Sequence, residues 1–150
     1  PRLSIENILE EPLNIHKIDN KREKIYKVLN LVELPKTLLT RNPKELSGGQ
    51  LQRINIARSL LLDPKIILCD EIVSSLDISV QAQVLNTLNM VKDELGMSFI
   101  FVSHDINVTK YMSDEILVLK DGKIYDRFDT KNIDYSKLKP YTTELASQPF

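Results

Sequence analysis

The chain has 150 residues, 42% hydrophobic and 27% charged, with a net charge of -1 at pH 7. That suffices for one ordinary domain with a sizeable core, and the near-neutral balance gives no electrostatic reason to expect nucleic acid or an anionic membrane as partner. A single cysteine, Cys69, excludes an internal disulfide and fits a reducing compartment, and the apolar runs 66–69 and 116–119 are far too short to cross a bilayer.

To about Asp63 the pattern is helical. Ser4 is placed to cap a short helix through Glu10, with Pro12 as its stop. Asp19 or Asn20 can cap a longer helix, in which Ile25, Val28, Leu29 and Val32 fall at i, i+3, i+4 and i+7. Thr40-Arg41-Asn42-Pro43 is turn-rich. A third helix starts near Ser47, sets Leu51, Ile54, Ala57 and Leu61 along one side, and ends before Asp63-Pro64.

From Lys65 the pattern changes. Ile66-Ile67-Leu68-Cys69 is a continuous apolar run bounded by charge, as in a strand covered on both faces. Ser79 to Leu95 reads as a helix with Val84, Leu85, Leu88 and Val91 on one face, closed by Gly96. Ser98 to Val102 follows as a second buried strand, Ile106 to Met112 as a short helix and Glu115 to Leu119 as a third strand. Asp121-Gly122 is a hairpin signal, so Lys123 to Phe128 is predicted to return antiparallel. Strand, helix and strand of these lengths make a right-handed βαβ unit. The fold class predicted is α/β, with a helical part over 1–62, a sheet-containing part over 63–130 and a polar tail over 131–150.

Three segments carry the chemistry. In Leu46-Ser47-Gly48-Gly49-Gln50, Ser47 is a good N-cap and Gln50 completes a capping box. Two glycines strip side chains from the helix start, so bare amides and the positive end of the helix dipole can meet a terminal phosphate. A glycine-containing helix start with no ligand fits the same residues equally well. Asp70-Glu71 closes a buried strand, at the edge where parallel sheets gather ligands. One carboxylate can hold Mg²⁺ and the other can act on a nucleophilic water, although an acidic pair can also simply hydrate a loop. Ser103-His104 ends the next strand on the same edge; a lone His at a strand end is usually structural, but beside Asp70-Glu71 an imidazole could reach the same phosphate.

Their order and placement, with Ser74-Ser75-Leu76-Asp77 between them, resemble the ATP-binding-cassette ATPases, from Leu46 to Tyr125 with specific motifs and more loosely elsewhere. The resemblance implies the C-terminal part of such a domain: a helical subdomain, then part of a mainly parallel sheet with flanking helices. Ser47, Gly48, Gly49 and Gln50 match the family signature, which contacts ATP held by a partner subunit. Asp70 matches the aspartate that supports Mg²⁺, Glu71 the carboxylate that polarises the attacking water, and His104 the histidine that senses the γ-phosphate. Asp77 lies in the loop that crosses the dimer interface. ATP and Mg²⁺ are the cofactors implied, and a second ATPase subunit the partner. The reaction implied is in-line attack of water on the γ-phosphate.

Two departures stand out. Ile72 occupies the place where many members have proline after the catalytic glutamate. No Gly-x-x-x-x-Gly-Lys-Ser/Thr occurs, since the four glycines are Gly48, Gly49, Gly96 and Gly122. With Pro1 rather than Met at its start, the chain reads as a fragment that lacks the phosphate-gripping half and is inactive alone.

Arg2 to Ile8 with Glu11-Pro12-Leu13, Ser75 to Gln83, and Pro140-Tyr141-Thr142-Thr143-Glu144-Leu145 resemble the dipeptide, oligopeptide and nickel importers. Membrane permease subunits, an external substrate-binding protein acting indirectly and a peripheral place on the cytoplasmic face of the cell membrane are then implied. Two alternatives are a soluble, non-transport ATPase of the same family and a non-catalytic module that lends its signature face to another subunit. The near-neutral charge argues against a nucleic-acid partner.

Overall fold

The computed structural model describes residues 3–147, which fall into two compact units, one of residues 3–67 with 72–98 and one of residues 68–71 with 99–147.

The first unit is built on helices. Ser4 caps α1 (Ile5–Ile15), its Oγ accepting the Asn7 amide at 3.3 Å. Pro12 does not stop this helix, contrary to the sequence reading. Ile5, Leu9 and Leu13 recur every four residues and are wholly buried, so the buried stripe spans the proline and carries the helix one turn further. The His16 amide then closes back on the Pro12 carbonyl at 3.1 Å. Helix α2 (Lys21–Leu31) begins after Asn20, which takes left-handed backbone at φ 56° and makes no side-chain cap. Its expected face, Ile25, Val28, Leu29 and Val32, is buried.

Helix α3 (Gly48–Leu60) packs against α1, α2 and the long α4 (Ile78–Leu95). Ile54, Ala57 and Leu61 are buried as expected, but Leu51 is exposed. At about 100° per residue those three span roughly 60° of the helix surface, and Leu51 lies about 60° outside that sector. Arg58 of α3 reaches Glu11 of α1 at 2.5 Å, and Lys24 of α2 pairs with Asp63. On α4 the predicted face, Val84, Leu85, Leu88 and Val91, is buried, and Gly96 closes the helix at φ 60°.

Strands β1 (Ile66–Asp70) and β2 (Ser98–Val102) form a two-stranded sheet. The Ser98 amide donates to Lys65 O and the Glu71 amide to Val102 O, each at 3.0 Å, so start pairs with start and end with end, as in a parallel pair. The sequence reads both strands as covered on two faces. In the structure Cys69 is buried while Leu68, Ile100 and Val102 stand exposed, so one face only is covered. Alternation along a strand sends successive side chains to opposite sides, and only one side has packing partners here.

The second unit continues with α5 (Ile106–Met112), β3 (Glu115–Lys120) and β4 (Lys123–Asp129). β3 and β4 form the predicted hairpin, with Asp121 and Gly122 both at positive φ, 51° and 73°. The polar tail is ordered into a 3-10 turn and a last helix, α6 (Pro140–Ala146). Asp126 of β4 pins that helix: one carboxylate oxygen accepts the Lys139 amide at 3.0 Å and the Thr142 hydroxyl at 2.8 Å. Thr142 is wholly buried, and Tyr125 meets Tyr141 edge-to-face at 5.7 Å.

The Lys139 amide, and then the Thr142 hydroxyl and the Arg127 amide, hold the Asp126 carboxyl below its ordinary range despite some desolvation. A carboxyl lowered in the folded state stabilises it above the unfolded value of about 3.9, and that contribution is lost as pH falls through the folded value. The protection of the amides of Lys139 and of residues 141–143, measured relative to their intrinsic exchange, is therefore expected to fall on acidification, and much less so in an Asp126→Asn variant. Equal acid sensitivity in the two proteins would remove Asp126 as the clasp.

Candidate functional site

The residues singled out by sequence fall into two groups, one in each unit. In the first, the capping box forms as predicted. Ser47 Oγ accepts the Gln50 amide at 3.3 Å, and Gln50 Oε1 accepts the Ser47 amide at 3.1 Å. The Gly48 and Gly49 amides have no acceptor among the described residues, so the positive end of α3 retains free donors. The two glycines differ in setting: Gly48 is exposed and Gly49 buried.

Asp77 stands at the start of α4 in the same unit. Its Oδ1 accepts the Val80 amide at 3.0 Å and the Ser79 hydroxyl at 2.7 Å. Those bonds, the Val80 amide foremost, keep its carboxyl below the usual range. The carboxylate is thus an N-cap in its own chain, a role the sequence reading did not assign.

The second group sits where β1 and β2 end. Asp70 is the last residue of β1 and is exposed. Glu71 follows in left-handed backbone at φ 49°, a conformation that L residues other than Asn and Asp seldom take. His104 comes two residues after β2, and the structure brings it onto Glu71. The His104 amide donates to Glu71 Oε1 at 3.1 Å, and its Nδ1 lies 3.0 Å from both carboxylate oxygens. The tautomer that donates from Nδ1 leaves Nε2 as an outward acceptor. Both side chains reach solvent, His104 at 76% and Glu71 at 39% relative exposure, so an outside group can meet them.

Asp105, which the sequence reading passed over, fixes the turn that carries His104. Its amide donates to Ser103 Oγ at 3.1 Å, and its Oδ1 caps α5 through the Asn107 and Val108 amides at 2.8 and 3.2 Å. An Asp just before an apolar helical stretch is itself a cap signal.

No cluster of three or more His, Cys, Asp or Glu able to hold a metal occurs among the described residues. One aspartate is nevertheless a fitting contribution to Mg²⁺, which keeps several waters and takes the rest of its shell from one or two carboxylates and substrate phosphates. A strand-end carboxylate clamped by a neighbouring imidazole, and a helix start with free amides, are parts suited to phosphoryl transfer to water.

Residues 1–74 match the family model described as ABC transporter. The chain is 43% identical over 150 residues to the oligopeptide transport ATP-binding protein OppF of Lactococcus lactis, an alignment covering 98% of this chain and 47% of that protein. The chain belongs to the ABC transporter family. It is also 43% identical to the dipeptide transport ATP-binding protein DppF of Haemophilus influenzae, over 98% of this chain and 46% of the relative. It therefore spans about half the length of these relatives. Among solved structures, a dimeric ATP-binding cassette bound to ADP and Pi superimposes with a TM-score of 0.72 at 32% identity, over 89% of this chain and 59% of that one. The ABC relationship accounts for the α/β class. No described helix is long and apolar enough to cross a membrane.

Ser47→Ala removes one arm of the capping box and is expected to lower stability by about 1 kcal/mol, with Ser47→Asn losing much less. Urea unfolding of the three proteins measures this, and equal midpoints for Ser47→Ala and the parent would mean the box is not formed in solution.

Proposed function

We propose that these residues belong to the ATP-hydrolysing subunit of an ABC importer that drives uptake of peptides or of nickel and other metal chelates. The observation that carries this reading is the Glu71–His104 contact at adjacent strand ends. The printed names of the relatives, an oligopeptide and a dipeptide transport ATP-binding protein, favour peptides. In functional terms, 1–62 bears the signature, 63–130 the hydrolytic residues and 131–150 the tail.

Water attacks the γ-phosphorus of ATP in line with the departing ADP oxygen, giving ADP and phosphate. Glu71 orients that water and accepts its proton. The ring and amide of His104 hold the carboxylate in place, and the outward ring nitrogen faces the γ-phosphate. Bound Mg²⁺ would neutralise charge on the phosphate oxygens, and Asp70 would hold it. Ser47, the Gly48 and Gly49 amides and Gln50 face the γ-phosphate of an ATP held by a second ATPase subunit, and Asp77 lies at that junction. The loop that grips the nucleotide's own phosphates is not among these 150 residues, so the fragment alone hydrolyses ATP at background rate. The partners of the intact subunit are that second ATPase, membrane permease subunits and, indirectly, an external substrate-binding protein, with the subunit peripheral on the cytoplasmic side of the membrane.

In the protein as encoded and paired with its partner, Glu71→Gln is expected to slow ATP turnover by roughly 10²-fold or more while ATP still binds. Unchanged turnover would withdraw the assignment of the catalytic carboxylate.

A further inference from the structure

The two signature glycines are chemically identical and adjacent, yet they meet different neighbours. A Cβ placed on Gly48 would lie 3.2 Å from Leu76 Cδ2, the tip of a flexible side chain that can swing away. A Cβ on Gly49 would lie 2.5 Å from Cγ1 of Val80, closer than side-chain carbons approach. Val80 has little freedom to yield, because it is β-branched and sits in the first turn of α4. Its own amide is tied to Asp77 Oδ1 at 3.0 Å, and Asp77 is braced by Ser79. Gly49 is buried, and α3 and α4 pack together along this side. The Asp77 cap therefore fixes Val80, and Val80 fixes how close the start of α3 can come.

We infer that Val80 is a positioning residue for the signature: its side chain seats the first turn of α3 by filling the space that the missing side chain of Gly49 leaves. Gly49 is required for this helix packing, and Gly48 for an open approach from solvent. The signature turn and the Asp77 loop then move as one body. This inference rests on the reading of the α3 start as the phosphate-facing element, but its structural half stands apart from it.

The two glycines separate in a suppressor experiment. Gly49→Ala adds the clashing methyl. Val80→Ala removes Cγ1 and leaves the Val80 Cβ, which lies 3.8 Å from the added carbon, an ordinary contact. In the protein as encoded, Gly49→Ala is expected to lower the melting temperature by about 5 °C, against a small change for Gly48→Ala. Gly49→Ala is also expected to cut ATP turnover at least tenfold, and Gly49→Ala/Val80→Ala to regain the melting temperature of the Val80→Ala background and its turnover to within about threefold. Recovery of stability without recovery of turnover would overturn the inference, because Gly49 would then be needed at the ligand. A Gly49→Ala melting temperature equal to the parent's would overturn it as well. If the parent protein itself hydrolyses no ATP, the proposed function fails while the melting temperatures still decide the packing.

Discussion

Helix α3 must satisfy two opposed demands. Its body is packed by α1, α2 and α4, while its first turn keeps amides without an acceptor among the described residues, open to a ligand under the proposed function. Burial of Ile54, Ala57 and Leu60 fixes the helix axis; the Ile54 and Leu60 side chains each contribute about 1.5–3 kcal/mol on removal from water, and the Ala57 methyl less. Side chains at the N-terminus would block both the approach of α4 and access to the free amides. Two glycines answer this, with Ser47 and Gln50 satisfying one amide each so that only the Gly48 and Gly49 donors remain available. The neighbouring start of α4 is arranged to match. Its cap, Asp77, spends its carboxylate on Val80 and Ser79 and so holds rigid the surface that α3 leans on.

The second unit has its own constraint at Glu71. Its amide still pairs with Val102, extending the sheet ladder, and the chain then turns through left-handed backbone. A non-glycine residue held there costs on the order of 1–2 kcal/mol. The His104 amide and imidazole bind the same carboxylate and offset that cost. Asp105 anchors the turn from the other side by capping α5. Local strain is thus coupled to a carboxylate held in one orientation, the arrangement expected where preorganised charge does the chemistry.

Much of this was legible in the sequence, where the determinants are local. The capping box at Ser47 and Gln50, the helix Ile106–Met112, the Gly96 stop and the Asp121-Gly122 hairpin all depend on residues within a few positions of one another. Readings that depended on distant neighbours fared less well. Pro12 reads as a stop until Leu9 and Leu13 are seen buried on either side of it. Leu51 reads as core from its helical spacing and Leu68 from its continuous apolar run, but both stand exposed. That Asp70, Glu71 and His104 come at the ends of neighbouring strands was visible by type and placement. The left-handed backbone at Glu71 and the closeness of Val80 to Gly49 were not, because neither φ nor interhelix distance is encoded in a short motif.

Under the proposed function, the open start of α3 and the Glu71–His104 pair serve one reaction shared between two ATPase subunits. Light scattering of the encoded protein with its ATPase partner, carrying Glu71→Gln to stop turnover, tests it most directly. Mg-ATP is predicted to drive the two subunits into one complex of summed mass, and Ser47→Arg to abolish that association while ATP still binds. ATP binding with no change in mass, or association indifferent to Ser47→Arg, would contradict the account.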